Sequence, residues 1–209
     1  MILEKIKEAP LSELIASLSA LILIIGLSYK VGYYHPKPLS SLWVVSFFNP
    51  LDLAFAALKI LFIYIFGLLI IDKSMFGESG IRNILVTGIG VTLLPVAIGI
   101  YSGDFLTVLP VALGMISVLI LIKAEKIARI ICIAVLAIII PLLQGLVDVK
   151  SDLKSNKLPK VYLANNDNYA DDWRMLDKLN DRLLLINIKN PEQLKIVEIS
   201  EITKIELNK

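Results

Sequence analysis

The chain has 209 residues, 56% of them hydrophobic and 19% charged, with a net charge of +2 and a mean hydropathy of +0.76. So small a net charge leaves no basic footprint for nucleic acid, and the apolar content exceeds what one soluble core needs. The lone cysteine, Cys132, excludes an intramolecular disulfide and reads as a small packing residue inside an apolar run.

The first apolar run, Leu14–Leu27, extends towards Tyr34 and follows a Ser12-Glu13 helix start. No small-x-small cleavage site follows it, so it is expected to be a retained helix, with Tyr29, Tyr33 and Tyr34 at headgroup level. His35-Pro36-Lys37-Pro38 ends it, because proline lacks a backbone donor and restricts its predecessor. Leu39–Phe48 is apolar but too short to cross, and is expected to lie at the interface or re-enter. Asn49-Pro50-Leu51-Asp52 then reads as an N-cap, a proline in the first turn and an acid on the helix dipole, opening a helix over Leu51–Ile71.

Three further apolar runs follow, Ile84–Ile100, Phe105–Ile122 and Ile130–Val147, each about one bilayer crossing long. The fold class expected is therefore mainly α: a multi-pass transmembrane bundle of four or five helices over residues 1–149, in a plasma (inner) membrane. A small soluble module over 150–209 completes the chain. From Asp148 onward there are 11 basic and 11 acidic residues, against 10 and 8 before it. In that tail, Val161–Ala164, Trp173–Leu179, Arg182–Ile188, Leu194–Ile199 and Ile202–Leu207 read as strands of a small β-meander or barrel-like module, with a helix over Ala170–Asn180 as the alternative. Trp173, Met175, Asp177 and Leu179 alternate with Arg174, Leu176 and Lys178.

Orientation signals conflict. The turn at Tyr101–Asp104 has no basic residue while Lys123, Lys126 and Arg129 crowd the next, which favours the latter as cytoplasmic. With five crossings that puts the tail outside, yet Lys150, Lys154, Lys157 and Lys160 argue for a cytoplasmic tail.

Residues able to carry function are few. Lys59 is the one charge well inside an apolar run; it either lines a pore or pairs with an intramembrane acid, or else snorkels towards headgroups or Asp52, a heptad earlier. Gly88 with Thr92, and Gly114 with Ser117, offer small surfaces for close helix packing. Tyr162, Tyr169 and Trp173 are candidate partner anchors on the tail. His35, the only histidine, has no second metal ligand or nucleophile beside it, and no phosphate-cradling glycine loop occurs. No cofactor and no enzymatic activity are expected. The reading that follows is a non-enzymatic membrane subunit that oligomerises, senses or anchors, and signals to a protein partner. An oligomeric ion channel or membrane-depolarising effector is the alternative, against which stands the scatter of Thr87, Thr92, Thr107, Ser117 and Gln144.

In layout, Leu14–Val147 in several passes followed by a compact Lys150–Lys209 tail, the chain resembles the membrane subunits of bacterial anti-phage systems, above all the membrane component of the Kiwa defence system. The resemblance implies a homo-oligomer that senses envelope disturbance and recruits a cytosolic, DNA-associated partner. It rests on size and layout, and no functional residue carries over.

Overall fold

The computed structural model describes residues 10–75, 97, 101, 105–123, 125–154, 158–164 and 172–207. Its helices are α1 (Leu11–Tyr34), α2 (Pro50–Met75), α3 (Phe105–Lys123) and α4 (Lys126–Lys154), followed by an antiparallel β-sheet. Among the described residues two helices, α1 and α4, are long and apolar enough to cross a membrane, which narrows the four or five crossings expected. Helix α3 runs Phe105–Lys123, and the described part of its apolar run is Val108–Val118. Most of Ile84–Ile100 lies outside the described residues.

The cap of α2 forms as its residues dictate. Asp52 N–H donates to Asn49 Oδ1 at 2.8 Å and Asn49 N–H donates back to Asp52 Oδ2 at 3.3 Å, a reciprocal capping box. Between α1 and α2, Leu42–Phe47 is a short 3-10 helix that buries Val44 and leaves Leu42, Trp43 and Phe47 exposed.

Helix α1 packs on both α2 and α4, and glycines set the distance. A Cβ on Gly26 would sit 1.9 Å from the Leu53 carbonyl oxygen, one on Gly32 2.0 Å from that of Leu142, and one on Gly145 2.2 Å from that of Tyr29. The backbones therefore touch without intervening side chains, the small-residue mode of packing. Ile25 clusters with Ala57, Ile60 and Ala137, while further along α1 the hydroxyls of Tyr29 and Tyr33 reach Asp148 and Asp152. So α1 and α4 run parallel, α2 runs back, and the α3–α4 turn lies at the end opposite the sheet.

Pro141 lies inside α4 and cannot donate to the preceding turn. A π-turn over Val135–Ile139 precedes it, in which Ile140 N–H donates to the Val135 carbonyl. In that register the Leu136 carbonyl would look to the nitrogen of Pro141, which has no hydrogen. The Tyr64 hydroxyl of α2 donates to it instead, at 2.6 Å. A neighbouring helix thus satisfies the group that proline leaves free.

The sheet comprises β1 (Lys160–Leu163), β2 (Trp173–Leu179), β3 (Arg182–Asn187), β4 (Asn190–Glu198) and β5 (Ile202–Glu206), in the order β4-β3-β2-β1-β5. Strands β1 to β4 form the meander expected from the sequence, with β4 starting earlier than Leu194, whereas β5 pairs with β1 and not with β4; the alternative helix over Ala170–Asn180 is excluded by β2. Strands β4 and β5 occupy opposite edges, yet only the 3-10 turn Ile199–Glu201 joins them. A flat five-strand sheet would separate its edges by about 19 Å, more than the roughly 13 Å that such a link can span. The sheet therefore curls towards a barrel. Val161, Trp173, Leu183, Leu185 and Val197 fill its inside.

Its outer face is not free. Leu176, Leu179, Leu184 and Ile186 share one core with Tyr33, Tyr34, Leu39, Val44, Phe48 and Val149. The tail expected as a separate soluble module is docked on the ends of α1 and α4. Strand β3, Leu183 through Ile186, is buried on both faces, as its unbroken apolar run requires.

Candidate functional site: a polar junction between helices and sheet

Where the helices meet the sheet, three aspartates collect donors from three helices. Asp177 of β2 accepts from Lys30 Nζ at 2.5 Å and from the Tyr34 hydroxyl at 2.7 Å. Asp148 of α4 accepts from the Tyr29 hydroxyl at 2.8 Å, from Lys59 Nζ of α2 at 2.5 Å and from Gln144 Nε2 at 2.9 Å. Asp152, one turn on, accepts from the Tyr33 hydroxyl at 2.9 Å. The pairing follows from helical periodicity: Tyr29 and Tyr33 lie four residues apart, as do Asp148 and Asp152, so each set shares one face.

At the junction the Lys30–Asp177 pair is more enclosed than Lys59–Asp148, with side-chain exposures of 11% and 21% against 56% and 14%. Lys30 also lies 4.2 Å from the centroid of the Phe48 ring, within cation–π range. A desolvated pair of this kind costs little while intact and much when one partner is removed.

Strict alternation along β2 would turn Asp177 into the curl beside Trp173 and Met175. A β-bulge intervenes: Met175 pairs with Leu185 but Asp177 with Leu184, leaving Leu176 as the extra residue. Beyond it the parity is reversed, so Asp177 and Leu179 face the helices. Re-aiming a side chain is a common use of a bulge. The turn after β2 is fixed as well, by Asn180 at φ 54° and by a hydrogen bond from Asn49 Nδ2 to Asn180 Oδ1.

The candidates named from sequence are distributed as follows. Lys59 pairs with Asp148 of α4 and not with Asp52, whose carboxylate is taken up by the α2 cap. Gly114 and Ser117 are buried within α3, and a Cβ on Gly114 would make ordinary contacts of 3.6 Å with Tyr64 and 3.7 Å with Ile140. The close crossings are instead at Gly26, Gly32 and Gly145. Trp173 is 9% exposed and fills the curl of the sheet, so it is no surface anchor. Tyr162 is exposed, donates to Glu206 Oε2 at 2.9 Å and is flanked by Lys160 and Lys204. Gly88, Thr92 and Tyr169 lie outside the described residues.

Sequence reasoning missed the three aspartates and Lys30. One signal was present: Asp148 and Asp152 continue the helical register past the last apolar run, in step with Tyr29 and Tyr33. Asp177 carried none, because its facing depends on the bulge.

What this arrangement can do chemically is limited. Every carboxylate is engaged by hydroxyl, ammonium or amide donors, and among the described residues no group of three or more His, Cys, Asp or Glu could hold a metal ion. The junction holds two parts together rather than presenting a reactive group. No family model, curated protein or solved structure matches the chain.

Proposed function

We propose that this chain is a non-enzymatic, multi-pass membrane subunit that works as a homo-oligomer, with the curled sheet as a sensing module and the opposite helix ends as the signalling side. The observation that carries this reading is the junction itself. Lys30, Tyr34 and Asp177 tie the sheet to α1, while Tyr29 and Tyr33 tie α1 to α4, so a displacement of the sheet moves two parallel helices together.

The basic residues Lys123, Lys126 and Arg129 lie at the end away from the sheet, and the positive-inside tendency assigns that end to the cytoplasm. The sheet then faces outwards. Lys150, Lys154, Lys157 and Lys160 pull the other way, but they lead into a folded tail, and the tendency weighs short turns most. A cytosolic partner would be met at the basic end and not at the sheet. In this reading, and in line with the resemblance to the Kiwa membrane component, the process served is anti-phage defence.

Two measurements test the proposal. Mass determination of the full chain in mild detergent should give more than a monomer. A tag after Lys209 should be cleaved by protease added to intact spheroplasts, whereas a tag inserted between Lys123 and Lys126 should be protected. A monomer, or the reverse protection pattern, overturns the assignment.

A further inference from the structure

Beside the junction, on the outward side of α1 and α2, an open cleft of about 360 Å³ runs from Lys59 of α2 to Lys178 of β2. Lys30, Asp52, Phe55 and Asp177 line its walls. From its floor an apolar stripe continues along α2: Leu51, Phe55, Leu58, Phe62 and Ile65, spaced as one helical face and each at least 44% exposed. No described residue covers that stripe, and in the membrane reading above lipid does.

The charges of the cleft are arranged unevenly. Lys30 is neutralised by Asp177 and Lys59 by Asp148, each at 2.5 Å. That leaves two opposite charges. Lys178 is exposed, with its backbone N–H and not its ammonium engaged by Asp177. Asp52 uses Oδ2 in the helix cap, which leaves its other oxygen as an acceptor. A cleft of balanced charge, with a cation at one wall, an acid at another and an apolar track leading away, matches a zwitterion carrying acyl chains.

We propose that this cleft binds one phospholipid with a zwitterionic, primary-amine headgroup. Its phosphate lies between Lys178 and the remaining donors of Lys59, its ammonium against Asp52, and an acyl chain along Leu51–Ile65. Lys59, nine residues or about 13 Å into α2 and paired with Asp148, then turns its remaining donors to the phosphate layer. A dianionic headgroup is disfavoured, because both junction lysines are already neutralised by aspartates.

The inference rests on α2 lying in a membrane, and the test keeps the two apart. Membrane fractionation comes first: extraction of the chain by salt or carbonate without detergent would defeat the membrane reading itself. Given membrane insertion, native mass spectrometry of the detergent-purified full chain should show one phosphatidylethanolamine retained per subunit. After delipidation, phosphatidylethanolamine should raise the melting temperature more than phosphatidylglycerol does, and free glycerophosphoethanolamine should not displace it. Lys178→Glu, an exposed position, should lower retention about tenfold, the loss expected when a charge-assisted hydrogen bond is removed. Lys178→Arg should retain the lipid. Retention unchanged in Lys178→Glu, or an equal or greater response to phosphatidylglycerol, overturns the site while leaving the membrane reading intact.

Discussion

Lys30 is a buried charge in the last turns of an apolar helix, and its surroundings explain why it is there. Its ammonium meets Asp177 and lies over Phe48, with Tyr34 donating to the same carboxylate. Removing one partner strands the other, so Lys30→Met should destabilise the sheet–helix contact by about 3–5 kcal/mol. Combining it with Asp177→Leu should recover much of that loss, since no charge remains buried; hydrogen exchange in β2 and β3 reads both effects. A second pair, in the sheet, gives a pH dependence. Buried Arg174 grips Asp172 with Nε at 2.9 Å and Nη2 at 3.1 Å and donates through Nη1 to the Leu158 carbonyl at 3.1 Å. The guanidinium's hydrogen bonds hold the Asp172 carboxyl below its usual range. The folded pKa is the lower one, so the stabilisation is complete above the ordinary aspartate value of about 3.9 and is lost as pH falls through the folded value. Acid titration of the wild type and of Asp172→Asn, followed by near-ultraviolet circular dichroism, should show the two stabilities converging below that value and diverging above it.

At the scale of elements, helix contacts divide into those that admit a methyl group and those that do not. Gly145→Ala places a Cβ 2.2 Å from the Tyr29 carbonyl oxygen and 2.6 Å from the Tyr33 nitrogen, both backbone atoms that cannot swing aside. Helices α1 and α4 must separate, which costs about 1–3 kcal/mol or more and loosens the tyrosine–aspartate bonds alongside. Gly114→Ala meets only side-chain atoms beyond 3.5 Å and gains helix propensity, so it should be neutral or stabilising by up to about 1 kcal/mol. Thermal unfolding in detergent separates the two; a destabilised Gly114→Ala with a normal Gly145→Ala would reverse the assignment of the close crossing. The sequence pointed to Gly114 and not to Gly145, since a small residue in an apolar run signals close approach without naming the partner.

For the whole molecule, the shared core around Tyr34, Phe48, Leu184 and Ile186 changes what truncation should do. Were the tail a separate module, removing residues 150–209 would leave a sound helical body. Instead it uncovers Tyr33, Tyr34, Val44 and Phe48, all now at most 9% exposed. The truncated chain should insert yet melt at a lower temperature than the full chain and aggregate in mild detergent. A truncated body as stable as the full chain would refute the docked arrangement.

The sequence by itself determined the elements. Apolar runs marked α1, α3 and α4, Asn49-Pro50 marked the start of α2, and β-branched stretches separated by Asn180-Asp181 marked the strands, because period, capping and turn chemistry are local properties. It also carried the sign that β3 is buried on both faces, in Leu183 through Ile186. Which partners those elements choose is not local. The pairing of Lys59 with Asp148 spans 89 positions and that of Lys30 with Asp177 spans 147. No periodicity links residues so far apart. The facing of Asp177 depends on one extra residue at the bulge, which shifts every later side chain to the other face. Burial of Trp173 likewise depends on the curl of the sheet. Only the tertiary structure could decide these, because each follows from two distant segments meeting in one register.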